Sequence, residues 1–87
     1  MSGEKRSLPG RRWVFVLEMA AGADLLLRAL APFPVQGAEV TRVDLQTADG
    51  LARLEVETDG LASQRAEHLR ARLQGLAGVR SVACGWR

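Results

Sequence analysis

The stretch AEVTRVDLQTADGLARLEVETDGL, residues 38–61, decides the fold because it predicts a β-hairpin. Asp49-Gly50 lies between two runs that alternate apolar and polar residues. Such a dipeptide favours a type I′ turn, in which both central residues have positive φ. A two-residue turn at this place pairs Ala48 with Leu51, Leu45 with Leu54, Val43 with Val56, and Thr41 with Thr58. A slip by one residue would move every side chain to the opposite face, so the alternation specifies this register.

The predicted hairpin has one apolar face and one charged face. The apolar face carries Val43, Leu45, Leu54 and Val56. The charged face carries Arg42, Asp44, Gln46, Arg53, Glu55 and Glu57. Its alternating signs indicate mutual neutralisation across the strands rather than a carboxylate pair for acid–base catalysis. The apolar face needs a cover, and the flanking segments are the candidates for it.

Two further strands are predicted, one near each end of the chain. Trp13–Met19 is short, rich in β-branched and aromatic residues, and apolar on both faces, which is typical of a central strand or of one with a covered second face. Val79–Trp86 is the last strand.

Two helices are predicted between these strands. The first covers Leu25 to about Leu30, with Asp24 as its N-cap, and Pro32 ends it because the residue before proline avoids the helical region. Residues 32–37 then form an irregular connector, and Gly37 turns the chain into the hairpin. A turn at Asp59-Gly60 precedes the second helix, Leu61–Gln74, in which apolar residues recur at three- and four-residue steps.

The order strand–helix–strand–strand–helix–strand predicts an α+β protein of the ferredoxin-like βαββαβ class. Right-handed crossovers give a four-stranded antiparallel sheet with both helices on one face, where they bury the apolar face of the hairpin. In that arrangement one of the strands Trp13–Met19 and Val79–Trp86 is an inner strand and the other is at an edge. We expect one domain over residues 12–87, preceded by a flexible tail over residues 1–11. Surplus apolar surface on the second face of the first strand, on the last strand, and at Leu25 and Leu27 predicts an interface with another protein.

Composition excludes several classes of function. The net charge is only +2, and two Trp, two Phe and no Tyr are too few for a nucleic-acid surface built on base stacking. One Cys and one His allow neither an internal disulfide nor a Cys-based zinc site. We therefore expect no metal, no cofactor and no catalytic centre, and a reducing, cytoplasmic location.

The N-terminus resembles a signal peptide in part, since Met1–Arg12 is basic and Trp13–Leu17 is apolar. Glu18, Asp24 and Arg28 interrupt the apolar stretch, which disfavours that interpretation. No run approaches the roughly 18 apolar residues of a membrane span, so no membrane association is predicted.

The sequence resembles an ACT domain over about residues 12–86. The resemblance lies in LLLRALAPFPVQGAEVTRVDLQ, residues 25–46: a Leu-rich helix face, a glycine after the helix, then a polar and a β-branched residue. The positions that fit this order are Leu26, Leu30, Phe33, Gly37, Glu39 and Val40. The ending, residues 76–82, also fits the family, and the layout is similar to the regulatory small subunit of acetolactate synthase.

The resemblance implies a non-catalytic regulatory module that acts by allostery. It implies a homodimer, with a larger catalytic subunit as a further partner and a small amino acid bound at the dimer interface. The ligand-binding residues it implies are Ala21, Gly22, Ala23, Asp24, Leu25, Gln36 and Gly37. We expect this site at the start of the hairpin, near Gly37–Val40, where the second strand passes the loop that carries Asp24. Binding would then favour one assembly state over another by linkage.

The sequence departs from the family at the start of the first helix. Amino-acid-binding members place a glycine there, and counting back from Gly37 puts that position on Asp24, with Gly22 two residues away. A carboxylate at Asp24 would repel the ligand carboxylate, attract its ammonium group, or only cap the helix. This departure favours an alternative, a ligand-free assembly or scaffolding domain. A small enzyme such as an acylphosphatase is disfavoured, because the chain has no phosphate-binding Gly/Arg loop and no Asn.

Overall fold

The computed structural model of the chain describes residues 11–86, which form four strands and three helices. Their order is β1 (Arg11–Ala20), α1 (Ala23–Leu30), α2 (Pro32–Val35), β2 (Glu39–Ala48), β3 (Leu51–Leu61), α3 (Ser63–Gln74) and β4 (Val79–Trp86). β1 thus begins at Arg11, and the rest of the predicted N-terminal tail lies outside the described residues. No helix within residues 11–86 has the length and apolar character needed to cross a lipid bilayer.

The strands form one antiparallel sheet in the order β2-β3-β1-β4. Of β1 and β4, one is inner and the other is at an edge, as predicted, and the structure shows that the first strand in sequence is the inner one and the last is the edge strand. The second edge is β2, which among the described strands pairs only with β3. The ferredoxin-like βαββαβ arrangement predicted from the order of elements is confirmed.

The hairpin turn and most of its register are confirmed. Asp49 and Gly50 both have positive φ, 55° and 77°, as a type I′ turn requires. The predicted pairs hold from Ala48 opposite Leu51 back to Val43 opposite Val56. The pairing of Thr41 with Thr58 is wrong, because a bulge shifts the register there and places Val40 opposite Thr58.

The helices lie on one face of the sheet and enclose a single core. Phe15 and Leu17 of β1 and Leu54 of β3 have no exposed surface, and Phe33 of α2 meets Phe15 edge to face at 5.3 Å. The indole Nε1 of Trp13 donates a 2.8 Å hydrogen bond to the carbonyl oxygen of Leu61, which satisfies the one polar group of a buried ring. None of the three helices of the described residues lies on the opposite face of the sheet.

Several predicted element boundaries were wrong. Residues 32–35 form the short helix α2 instead of an irregular connector, with Pro32 in its first turn, where a missing N–H costs nothing. β3 continues through Asp59-Gly60 to Leu61, so no turn lies there. α3 consequently begins at Ser63 instead of Leu61.

The apolar face of the hairpin is only half covered. On β3, Leu54 and Val56 are fully buried, whereas on β2, Val43 and Leu45 are 45% and 40% exposed. The helices cover β3 and β1, and β2 at the edge extends past them. The prediction that the helices bury the whole apolar face is therefore wrong for β2.

Candidate functional site

The loop between β1 and α1 is fixed at both sides by backbone hydrogen bonds. The N–H of Ala20 donates to the carbonyl oxygen of Gly78, and the N–H of Ala21 donates to that of Gly50, each at 2.9 Å. The loop therefore lies between the hairpin turn and the turn before β4. This places it at the turn end of the hairpin, whereas the sequence suggested the end near Gly37–Val40.

Gly22 is the residue immediately before α1, with φ of 147°, a value that favours glycine. Within residues 11–86 no side chain caps the helix, so the backbone N–H groups of its first turn lack an intrahelical or side-chain acceptor there. Open space surrounds the position where a Cβ would stand on Gly22. A helix start with unpaired N–H groups and an open approach suits a carboxylate.

A small apolar groove of about 250 Å³ adjoins this helix start. Its lining residues come from both strands of the hairpin, from β1 and from α1: Met19, Gly22, Ala23, Leu26, Leu45, Thr47 and Ala52. Of the predicted ligand-binding residues, only Gly22 and Ala23 line it. Leu45, Thr47 and Ala52 were missed, because they are distant in sequence and only the sheet brings them to the loop. The signal that could have found them is the apolar face of the hairpin at its turn end.

Asp24 does not cap α1, so that prediction is wrong. It lies in the first turn of the helix, and Arg28, four residues on, approaches its carboxylate at 3.2 Å. The glycine that the resemblance places at the helix start is therefore Gly22, two residues before Asp24. Leu25 is 7% exposed, and its Cδ2 lies only 2.8 Å from where a Cβ on Gly78 would stand, so it belongs to the core.

The second part of the predicted site, Gln36 and Gly37, lies at the other end of β2. Gln36 ends α2 and lines a separate groove of about 240 Å³ beside Gln64, Arg65 and His68 of α3. Gly37 has φ of 81° and leads into β2, as predicted. Ten residues of extended strand, roughly 30 Å, separate it from the hairpin turn that holds Ala21. One protomer therefore does not bring the two halves of the predicted site together.

The outer edge of the sheet carries an exposed apolar strip, which we call the β2 strip: Val40, Val43 and Leu45. Their exposed fractions are 37%, 45% and 40%. Leu45 also lines the groove beside Gly22, so the strip and the groove are continuous. Leu27 of α1 adds a further apolar side chain that is 66% exposed.

The described residues offer no arrangement suited to nucleophilic or metal chemistry. Within residues 11–86 no three His, Cys, Asp or Glu side chains cluster closely enough to hold a metal ion. Cys84 is half-buried, and its burial raises the pKa of the thiol, which disfavours the reactive thiolate. Arg70 donates hydrogen bonds to Glu67 on the surface of α3, which lowers the pKa of that carboxyl. Glu67 and Arg70 thus form a surface ion pair on α3.

No protein-family model matches the chain, and no curated protein matches it.

Comparison by structure finds similar folds. The ACT domain of GTP pyrophosphokinase from Chlorobium tepidum superposes with a TM-score of 0.77 at 10% identity, covering 87% of this chain and 99% of that one. The C-terminal domain of the MgtC protein from Mycobacterium tuberculosis has a TM-score of 0.73 at 13% identity, covering 91% and 89%. A formyltetrahydrofolate deformylase from Pseudomonas putida matches over 85% of this chain and 28% of its own, with a TM-score of 0.55 at 17% identity. The fold of this chain is therefore that of an ACT domain, as the resemblance in its sequence predicted.

Proposed function

We propose that the chain is a non-catalytic regulatory module that dimerises through β2 and binds a small amino acid at the dimer interface. The observation that carries the proposal is the exposed β2 strip, continuous with the groove at the uncapped start of α1. The ACT-domain fold supports a regulatory role. The partner is expected to be a biosynthetic enzyme such as acetolactate synthase, in the cytoplasm.

An edge strand such as β2 favours pairing with another strand. Nine of its ten residues are exposed, and it has neither proline nor lysine, which commonly protect sheet edges from association. Because homodimers are mostly two-fold symmetric, the simplest partner is β2 of a second copy in antiparallel orientation. Eight strands would then form one continuous sheet.

The charges on β2 favour one register for this pairing. A two-fold axis normal to the sheet requires each residue to face one whose side chain points to the same side. Centring the pair on Asp44 would place two aspartates face to face, which is unfavourable. Centring it on Val43 places Arg42 opposite the second copy's Asp44, twice by symmetry, and sets the two Val43 side chains in contact. The register centred on Val43 is therefore our proposal.

This register also joins the two halves of the predicted ligand site. Antiparallel pairing about Val43 brings residues 36 and 37 of one copy level with residues 49 and 50 of the other. The carbonyl oxygen of Gly50 accepts the hydrogen bond from Ala21, so the second copy's Gln36 and Gly37 would approach the loop before α1. This agreement supports a site shared between two protomers and formed from Ala21–Leu25 and Gln36–Gly37.

The groove suits the chemistry of a small amino acid. The carboxylate would accept hydrogen bonds from the free N–H groups at the start of α1, since Asp24 is engaged by Arg28. The side chain would contact Leu26 and Leu45 in the apolar groove of about 250 Å³. The second copy's Gln36 could accept a hydrogen bond from the ammonium group. A ligand that touches both copies stabilises the dimer by linkage.

The proposal is tested by measuring mass in solution together with a thermal-shift screen of the twenty amino acids. We expect a dimer, and a ligand present at a hundred times its Kd should stabilise it by about 2.7 kcal/mol. Val43→Asp should give a monomer and abolish the ligand-induced shift. Val35→Asp is the matched control, because Val35 is 73% exposed on α2 and lies outside the β2 strip. A native chain that is monomeric at all concentrations would contradict the proposal.

The second candidate is a ligand-free assembly or scaffolding domain. The observation that favours it is the uncovered face of the sheet, which offers a second contact surface in addition to β2. A stable dimer that no amino acid stabilises would select this candidate.

A further inference from the structure

The uncovered face of the sheet holds a larger groove at the turn end of the hairpin. Its volume is about 400 Å³, and its lining residues come from all four strands: Glu18, Met19, Gln46, Thr47, Ala48, Leu51, Ala52, Arg53 and Arg80. It shares Met19, Thr47 and Ala52 with the groove beside Gly22, but its charged groups belong to the opposite face. Neither the resemblance nor the proposed function uses these charged groups.

The polar side chains of this groove lie in one row across the sheet. Gln46 of β2 is paired with Arg53 of β3, and Arg53 is paired with Glu18 of β1. On β4 a register shift between the partners of Glu18 and Met19 leaves Arg80 as an extra residue. A β-bulge of this kind redirects a side chain, and Arg80 lines the same groove as Arg53. Neighbouring strands are about 4.8 Å apart, so the two arginines flank Glu18 from either side.

The charged groups of the row have no ion-pair partner among residues 12–86. Arg12, Arg28, Arg42 and Arg70 each lie within 4.0 Å of a carboxylate. Glu18, Arg53 and Arg80 form no such pair, although Glu18 of β1 and Arg53 of β3 are directly opposite each other on neighbouring strands. Two guanidinium groups and one carboxylate are thus available to a ligand at one groove. Ala48 and Leu51 provide apolar surface in the adjacent row.

We propose that this groove binds a small zwitterion with two acid groups and one ammonium group, that is, an amino dicarboxylic acid. Each arginine would bind one ligand carboxylate, because the planar guanidinium donates two parallel hydrogen bonds to it. Glu18, between the arginines, would accept from the ammonium group. The two arginines and one glutamate carry a net charge of opposite sign to that of the ligand. The methylene groups of the ligand would contact Leu51.

The test is isothermal titration of the full-length chain with L-aspartate and L-glutamate, together with backbone amide NMR. We expect a Kd of about 1 mM at low salt, since the site is open to water, whose high dielectric constant weakens its ion pairs. Amide shifts should centre on residues 18, 46, 51–53 and 80. L-Alanine, which has one carboxylate, should bind much more weakly. Absence of binding, or shifts confined to residues 21–26, would overturn the proposal.

Substitutions assign the roles of the individual groups. Arg53→Gln and Arg80→Gln should each weaken aspartate binding about ten-fold, the value of one charge-assisted contact. Arg72→Gln is the matched control, because Arg72 is also an exposed arginine without an ion pair but lies on α3. An equal loss in the Arg72 variant would show non-specific attraction and overturn the proposal.

Glu18→Gln provides a readout that general electrostatics cannot give. It should weaken binding of aspartate, which loses the ammonium contact, and strengthen binding of succinate, which has two carboxylates and no ammonium group. If Glu18→Gln strengthened the binding of both aspartate and succinate, the role given to Glu18 would be contradicted. The groove lies within one protomer, so the monomeric Val43→Asp variant should retain aspartate binding. Aspartate binding by this variant therefore tests the groove around Arg53 and Arg80 independently of the proposed dimer interface.

Discussion

The two strands of the β2–β3 hairpin have the same apolar–polar alternation but different surroundings in the sheet. On β3 the apolar positions Leu54 and Val56 are fully buried, and on β2 their direct partners Leu45 and Val43 are 40% and 45% exposed. The difference arises from position in the sheet: β3 lies between β2 and β1, and β2 is an edge. An apolar face at an edge strand is therefore a surface available for association.

The strongest test of this comparison removes one leucine from each strand. Leu54→Ala should destabilise the protein by about 3 kcal/mol, because it leaves a cavity in a closed core. Leu45→Ala should cost less than about 1 kcal/mol in the monomer, since its side chain already contacts solvent. Urea denaturation at protein concentrations low enough to give a monomer measures both values. Equal losses of unfolding free energy in the two variants would contradict the difference in burial.

A second test concerns the pair Val40 and Thr58, which face each other across the hairpin near its bulge. The Thr58 hydroxyl is buried and has no hydrogen-bond partner within the described residues. Thr58→Val should therefore stabilise the protein by about 1 kcal/mol, since it removes an unsatisfied polar group at nearly constant volume. Val40→Thr, at an exposed position, should change the free energy of unfolding by less than about 0.5 kcal/mol. A loss of stability in the Thr58 variant would indicate a partner for the hydroxyl.

The smallest expected effect lies on the charged face of the hairpin. Arg42 of β2 lies 3.6 Å from Glu57, 3.9 Å from Glu55 and 4.0 Å from Asp44. Arg42→Gln should destabilise the protein by about 0.5 kcal/mol at low salt and by less in 1 M NaCl, because exposed ion pairs are weak and screened. Arg53→Gln, which removes the same charge without breaking an ion pair, is the control. Urea denaturation at the two salt concentrations measures both, and a cost that is independent of salt would contradict an electrostatic origin.

The sequence predicted the order of strands and main helices and most of the hairpin register, because these depend on local patterns. It failed where one local pattern competes with another. Pro32 and Pro34 indicated a connector, yet proline in a first helical turn is compatible with α2. Asp24 has the chemistry of an N-cap, but Gly22 takes that position because the loop is fixed by bonds to Gly78 and Gly50.

The candidate site could be predicted only in part. Gly22 and Ala23 were identified from the resemblance and do line a groove, whereas Leu25 is a core residue. Gln36 and Gly37 lie at the far end of β2, and only a second copy could bring them near the loop. The groove around Arg53 and Arg80 was not predicted, since it depends on a bulge in β4 that pairing with β1 produces.

By itself the sequence determined the hairpin turn, the side of the sheet to which the hairpin residues from Arg42 to Glu57 point, and the fold class. These follow from backbone preferences at Asp49-Gly50 and from a side-chain period of two, which are properties of neighbouring residues. The tertiary structure alone decided which half of the apolar face is covered and which distant residues share a groove. Burial depends on the place of a strand among the others, and that place is set by pairings between segments far apart in the chain.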